Sequence, residues 1–188
     1  MRTALLIIDI FNDFQFVKGD ELKDATEKMI PSILLLKKFA KANRFPIIYI
    51  NDNPFQDSLS IPTFLQKMTT KSNFQMIEQL KPNIQDIFLF KKKFSAFFQT
   101  ELETYLAQLK IEQLILTGIA GHICVLFTAN DAYMRGFQLV TPIDAYACPG
   151  PLQKDFTDAM FLHVFHSTVI PTKQWIQSQR KPLYNQIY

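Results

Sequence analysis

Apolar residues along this chain fall into short continuous runs, and the stretches between them place apolar positions three and four apart. The run Ala4-Leu5-Leu6-Ile7-Ile8, closed by Asp9, has no polar alternation. That is the pattern of a strand buried on both faces of a parallel sheet. Residues 45–51 repeat it and stop at the turn cluster Asn51-Asp52-Asn53-Pro54. Residues 84–90 give a third run that leads into Lys91-Lys92-Lys93, residues 114–116 a fourth that stops at Thr117-Gly118, and residues 137–142 a fifth. A short sixth is predicted at residues 167–170.

Helical spacing predicts a helix over residues 27–43, with Met29, Ile33, Leu36 and Ala40 on one face and Pro31 near the first turn. Further helices are predicted over residues 63–68, 74–80, 100–109, 122–135 (stopped by Gly136) and 151–163. Strands alternating with helices imply parallel pairing through right-handed crossovers. The expected fold is a three-layer α/β/α sandwich around a six-stranded, mainly parallel, Rossmann-like sheet. Residues 52–73, with two prolines, are the least regular part, and excursions of this length are often functional.

Composition narrows the class. A chain of 188 residues fits one domain, 1–188, and its 18 Phe argue for a well-filled interior, with some available for a subunit interface. A homo-oligomer, dimer or tetramer, is expected. The net charge of +3 comes with lysines spread over the chain, so no basic stripe points to nucleic acid or an anionic membrane. The first nine residues are too short for a signal-peptide core or a membrane span. Two Cys without a Cys-x-x-Cys or Cys/His pairing form neither a disulfide framework nor a zinc site, so a cytoplasmic location is expected.

Candidate chemistry gathers where open parallel sheets bind ligands, beyond the carboxyl ends of the strands. Asp9 ends strand one, Asn51-Asp52 strand two, Lys91 to Lys93 strand three, and the turn to Cys124 follows strand four. A charge rarely closes a buried strand without a partner. A thiol opening a helix meets unpaired N–H groups and the positive end of the dipole, which favour thiolate, although a free Cys elsewhere is simply a small buried hydrophobe. Together these groups offer Cys124 as nucleophile, Asp9 as proton acceptor, and one of the three lysines to hold the thiolate and orient the acid. Cys148, beside Pro149-Gly150, has no activating context and reads as structural.

Three segments carry a resemblance: Leu-Ile-Ile-Asp-Ile-Phe-Asn-Asp-Phe at 6–14, Lys-Lys-Lys-Phe-Ser-Ala-Phe-Phe-Gln-Thr-Glu-Leu at 91–102, and Leu-Thr-Gly-Ile-Ala-Gly-His-Ile-Cys-Val at 116–125. In this order and spacing the chain resembles the isochorismatase-like cysteine hydrolases as far as about Ala147. The resemblance implies a hydrolase that cleaves amide-type C–N bonds of a small molecule through a thioester, with Asp9, Lys91 and Cys124 as its triad and no cofactor. It selects Lys91 by distance from the Phe94-Ser95-Ala96-Phe97 motif, with Lys93 as fallback because alternation puts both on one side. It also implies a cis Ile119–Ala120 bond, with the N–H groups of Ala120 and Cys124 forming an oxyanion hole, and it makes Phe14, Asn51 and His122 candidate substrate contacts.

The chain departs from the family pattern at Phe11, where Gln is frequent, at Gly121-His122, and at Pro54-Phe55-Gln56-Asp57, which replaces a Gly-aromatic segment. Relatives that act on nicotinamide carry an Asp-x-His metal site, whereas this chain has Asp52-Asn53-Pro54, so no metal is expected. His163 and His166 lack a third ligand. Two other readings stay open: a vinyl ether hydrolase of the isochorismatase type that uses Asp9 without the thiol, and a non-catalytic binding or redox-sensing protein.

Overall fold

The computed structural model describes residues 1–55 and 59–179. Five strands form one parallel sheet in the order β3-β2-β1-β4-β5: β1 Thr3–Ile8, β2 Ile47–Asp52, β3 Ile87–Lys91, β4 Gln113–Gly118 and β5 Gln138–Val140. β1 is central, and alternate residues feed two cores. Leu5 and Ile7 pack with Tyr49, Ile115 and the helices α1 (Gly19–Ala42), α2 (Ile61–Met68), α3 (Phe74–Leu80) and α7 (Thr172–Gln179). Ala4, Leu6 and Ile8 pack on the other face with Ile48, Leu116 and the helices α4 (Leu102–Gln108) and α5 (Leu126–Met134), and with Phe161 and Phe165 beyond α6 (Pro151–Ala159). The uninterrupted apolar runs are therefore the strands covered by helices on both sides.

The sixth strand expected at residues 167–170 does not form. β5 itself ends at Val140, to which Thr168 makes one parallel bridge; beyond that bridge, among the described residues, only the Ile143 N–H, donating to Ile170 O at 3.2 Å, joins the two backbone segments. β3 begins at Ile87 rather than 84, and Ile84 is fully exposed. α1 starts eight residues earlier than the spacing predicts, at Gly19, with Asp20 and Glu21 in the first turn where the helix dipole favours acids. Pro31 consequently lies in mid-helix. It is exposed, as is Glu27, whose carbonyl loses a partner there, so water can reach that group.

The predicted face of Met29, Ile33, Leu36 and Ala40 is buried. The helix expected from residue 122 opens as a π-helical turn, Gly121–Val125, before α5, and α6 likewise runs into a π turn, Met160–Val164. Many of the phenylalanines line the α1 side, where Phe11, Phe64, Phe88 and Phe90 pack around Tyr49 with ring centroids 5.0–6.2 Å apart. Among the described residues no helix is long and apolar enough to cross a membrane.

Candidate active site

The carboxyl ends of four strands converge on one ammonium group. The register of β2 and β3 sets Asp52 beside Lys91, the last residue of its strand. Asp9 follows β1 in a left-handed conformation (φ 50°), and its N–H donates to Ile50 O at 2.8 Å. Lys91 Nζ is almost fully buried. It donates to Asp52 Oδ1 at 2.6 Å, to the Lys93 carbonyl at 3.0 Å and to Cys124 Sγ at 3.6 Å. These use its three hydrogens. Asp9 Oδ2, 2.8 Å away, is therefore an ionic neighbour that no donor reaches in hydrogen-bond geometry. Asp9 Oδ1 accepts the Asp52 N–H at 2.8 Å.

Burial decides the proton affinities. It raises the Asp9 carboxyl from 3.8 to about 6, against the opposing pull of Lys91 and with help from the Asp52 charge. Burial would lower Lys91, but Asp9 and Cys124 outweigh it and hold the ammonium above its ordinary range. Burial first, then the Asp9 carboxylate, push the Cys124 thiol up, more than Lys91 pulls it down. Burial and the carboxylate therefore oppose the pull of the helix start and of Lys91 on this thiol. A thiol stands beside a carboxylate, and the proton has a short path between them.

The turn into Cys124 is fixed by glycines and by the strand-like segment 145–148. Gly118 has φ 116°, and a Cβ there would sit 2.0 Å from Ile8 O. Its N–H donates to Ala145 O and its carbonyl accepts from Ala147 N–H, while Gly121 N–H donates to Ala147 O at 2.7 Å. A Cβ on Gly121 would meet Cys148 Sγ at 2.7 Å and Tyr146 Cδ2 at 2.8 Å. The Cys148 sulfur also accepts the His122 backbone N–H. The Ile119–Ala120 peptide is cis. Ala120 O accepts from Ile123 at 3.0 Å and Val125 at 3.3 Å but not from Cys124, and among the described residues nothing accepts from the Ala120 N–H.

The Phe94-Ser95-Ala96-Phe97 segment ties the lysine to the nucleophile. Ser95 Oγ donates to Asp131, and Ala96 N–H donates to Thr128 Oγ1 at 3.0 Å. That hydroxyl donates in turn to Cys124 O at 2.7 Å.

A cavity of about 580 Å³ opens over this cluster. Asp9, Asp52, Asn51, His122, Ala120 and Cys124 line it, with Phe16, Phe94, Met68 and Ile123 as its apolar walls. Asn51 is held in place, its amide exchanging bonds with Phe11 N–H (3.1 Å) and Phe11 O (3.0 Å), so it fixes the loop after β1. Phe14 is not on the cavity wall. It is buried in the core on the α1 side, because φ 58° at that residue turns it inward, and the expectation of a substrate contact there is corrected. His122 is on the rim, its imidazole lowered by burial, with Nδ1 enclosed and unpartnered.

The strand ends at Lys91, so alternation does not carry Lys93 to its side; Lys92 and Lys93 are exposed. His163 and His166 are exposed and outside the cavity. Gln56 and Asp57 of the departing segment lie outside the described residues.

Sequence reasoning named Asp52 among the strand-end candidates without giving it a role, and passed over Thr128. Asp52 was visible as an acid at a strand end, the signal that selected Asp9, whereas Thr128, one turn beyond Cys124, carried none. Asp9, Asp52 and Cys124 bring three possible metal-ligand atoms within 4.8 Å of one another, but the Lys91 ammonium contacts all three residues. The cluster includes no imidazole, so it does not fit the zinc or iron donor sets of histidine-bearing relatives.

The isochorismatase domain model matches residues 3–174. An uncharacterized isochorismatase family protein of Bacillus subtilis (strain 168), YaaI, is 41% identical over 174 residues, which cover 93% of this chain and 96% of the relative. The solved structure of nicotinamidase PncA from Bacillus subtilis aligns with a TM-score of 0.72 at 26% identity, covering 90% of this chain and 100% of its own. That of N-carbamoylsarcosine amidase from Thermoplasma acidophilum aligns at 0.70 and 26%, covering 92% and 97%. With its domain matched nearly end to end and its sheet shared with these structures, the chain belongs to the isochorismatase family of hydrolases.

Proposed function

We propose that this protein is a cysteine hydrolase that cleaves a C–N bond in a small amide or amide-like molecule. One observation carries the reading: beneath the cavity lined by Asp9 and Cys124, a buried Lys91 ammonium contacts both the Asp9 carboxylate (2.8 Å) and Cys124 Sγ (3.6 Å). Two of the structural neighbours are named for amide hydrolysis, which supports the same chemistry.

In this reading Asp9 takes the Cys124 proton as sulfur adds to the carbonyl carbon, and Lys91 offsets the negative charge that passes through the cluster. The tetrahedral oxygen is received by the N–H groups of Ala120 and Cys124, the first of which has no other acceptor among the described residues. Asp9 then gives its proton to the departing nitrogen, the C–N bond breaks, and a thioester remains on Cys124. Water loses a proton to Asp9, adds to the thioester and releases the acid, and Cys124 regains its proton.

The test is intact-mass spectrometry after mixing with a panel of small amides, ureides and aldehydes. An adduct on Cys124 is expected, with none in Cys124→Ala. Hydrolysis that survives Cys124→Ala would overturn the reading. It would favour acid catalysis by Asp9 alone, as a vinyl ether requires, for which a carboxyl raised to about 6 is suited.

A further inference from the structure

Asp52 sits where it can do more than hold the lysine. Its Oδ1 accepts from Lys91 at 2.6 Å, and among the described residues no donor reaches its Oδ2. Its side chain is 55% exposed and lines the cavity. Asp9 Oδ2, ion-paired with the Lys91 ammonium at 2.8 Å, is buried in the same cluster. The carboxylates of Asp9 and Asp52 and the sulfur of Cys124 each have an atom within 4.8 Å of the other two. The Lys91 ammonium contacts all three from beneath, and Asp9, Asp52 and Cys124 line the cavity, so a carbonyl carbon placed on the sulfur has its leaving atom within reach of the open Oδ2 of Asp52.

Carboxylates accept hydrogen bonds and do not donate them when ionised. A leaving nitrogen that bears hydrogen can donate to Asp52 while its lone pair takes the proton from Asp9. A leaving oxygen can take that proton too but turns a second lone pair toward Asp52, which leaves a polar contact repulsive and unpaired.

Resting on the cysteine hydrolase reading above, we infer that Asp52 is a specificity-determining residue that accepts a hydrogen bond from the substrate's leaving N–H, selecting amides and ureides that carry one over esters. Asp9 moves the protons; Asp52 recognises the atom that receives one. The backbone N–H of Asp52 still fixes Asp9 Oδ1 whatever the side chain, so the recognition role can be removed without dismantling the acid.

Asp52→Asn separates the two duties. An amide has one acceptor oxygen, and Lys91 takes it, which turns the NH2 group toward the place of Oδ2. A donor then faces a donor. The probes are 4-nitroacetanilide and 4-nitrophenyl acetate, which share an acetyl group and a nitrophenyl ring and differ in the leaving atom. Acetylation of Cys124 is timed by intact mass in the wild-type protein and in Asp52→Asn.

The expected result is that the variant lowers the anilide-to-ester rate ratio at least tenfold. Equal losses on the two probes would assign Asp52 to holding Lys91 alone and overturn the inference, as would a wild-type protein acetylated by the ester and not measurably by the anilide. A wild-type protein acetylated by neither probe would instead count against Cys124 as nucleophile and remove the premise. Asp52→Glu, which keeps two acceptors, should restore part of the ratio if it folds with Lys91 in place.

Discussion

The backbone N–H of Asp52 donates to Asp9 Oδ1 at 2.8 Å, so the acid at the end of one strand is oriented by the main chain of the next. Register achieves this, since Ile8 pairs with Ile50 and the two chains leave the sheet side by side. The other oxygen of Asp9 is left for Lys91 and the cavity. From this arrangement the pH behaviour of the site follows.

An acid that binds its proton more tightly in the folded chain than in the unfolded one loses stability as pH rises between the two values. For Asp9 those are 3.8 and about 6. At roughly 1.4 kcal/mol per tenfold change in proton affinity, the loss is about 3 kcal/mol. Urea denaturation should show the stability of wild type relative to Asp9→Asn falling by about 2 kcal/mol of this from pH 4 to pH 6 and levelling above about pH 7. Acylation of Cys124 should rise through pH 6 as the base ionises. In Asp52→Asn, where a neighbouring negative charge is gone, that rise should move to lower pH.

Asp9→Asn should make the thiol more reactive toward an alkylating agent while it stops turnover. The Asp9 charge raises Cys124 and Lys91 lowers it, so removing the carboxylate increases the thiolate fraction near pH 8. Iodoacetamide labelling timed by mass should be severalfold faster in the variant, and amide hydrolysis should fall by at least ~10³-fold. Unchanged labelling would fit a cysteine that is merely oxidisable.

Lys91→Met removes the charge that Asp9 and Asp52 share. Breaking a buried ion pair by deleting one partner costs about 3–5 kcal/mol. Without the ammonium Asp9 rises further above 6, so the native variant relieves its buried charge by taking up a proton. Chemical denaturation should show most of that cost at pH 8 and less at pH 5.

Gly121→Ala places a methyl 2.7 Å from Cys148 Sγ and 2.8 Å from a Tyr146 ring carbon. Overpacking of this kind costs roughly 1–3 kcal/mol. Thermal melts should show the loss, with part of it recovered in Gly121→Ala/Cys148→Ala, because the double variant clears the sulfur but leaves the ring.

Most of the scaffold was legible because buried parallel strands write themselves as unbroken apolar runs. Ile8-Asp9 announced the acid as a charge closing such a run, Phe90 followed by three lysines announced a cation without choosing among them, and Gly118 marked the turn. Where the reading failed, tertiary context outweighed local signals. Pro31 sits inside α1 since its face is exposed, and residues 167–170 pair through a single bridge because their partner β5 ends at Val140. Phe14 was given a substrate role by analogy, and only its backbone conformation reveals that it turns into the core. The helix-start argument for Cys124 weighs only the dipole and a nearby cation. Burial and Asp9, which arrives from more than a hundred residues away, oppose both.

Lys91 gives the site a counter-ion that is part of the polypeptide. A bound metal can be diluted out, exchanged for a competitor or withheld by scarcity, and its occupancy is set by the surroundings. An ammonium on a four-carbon stem has a fixed stoichiometry of one per chain, arrives by translation and is seated by folding itself. The charge balance of this pocket is thus inherited with the sequence, and no supply of ions has to be secured before its two carboxylates can share a small space.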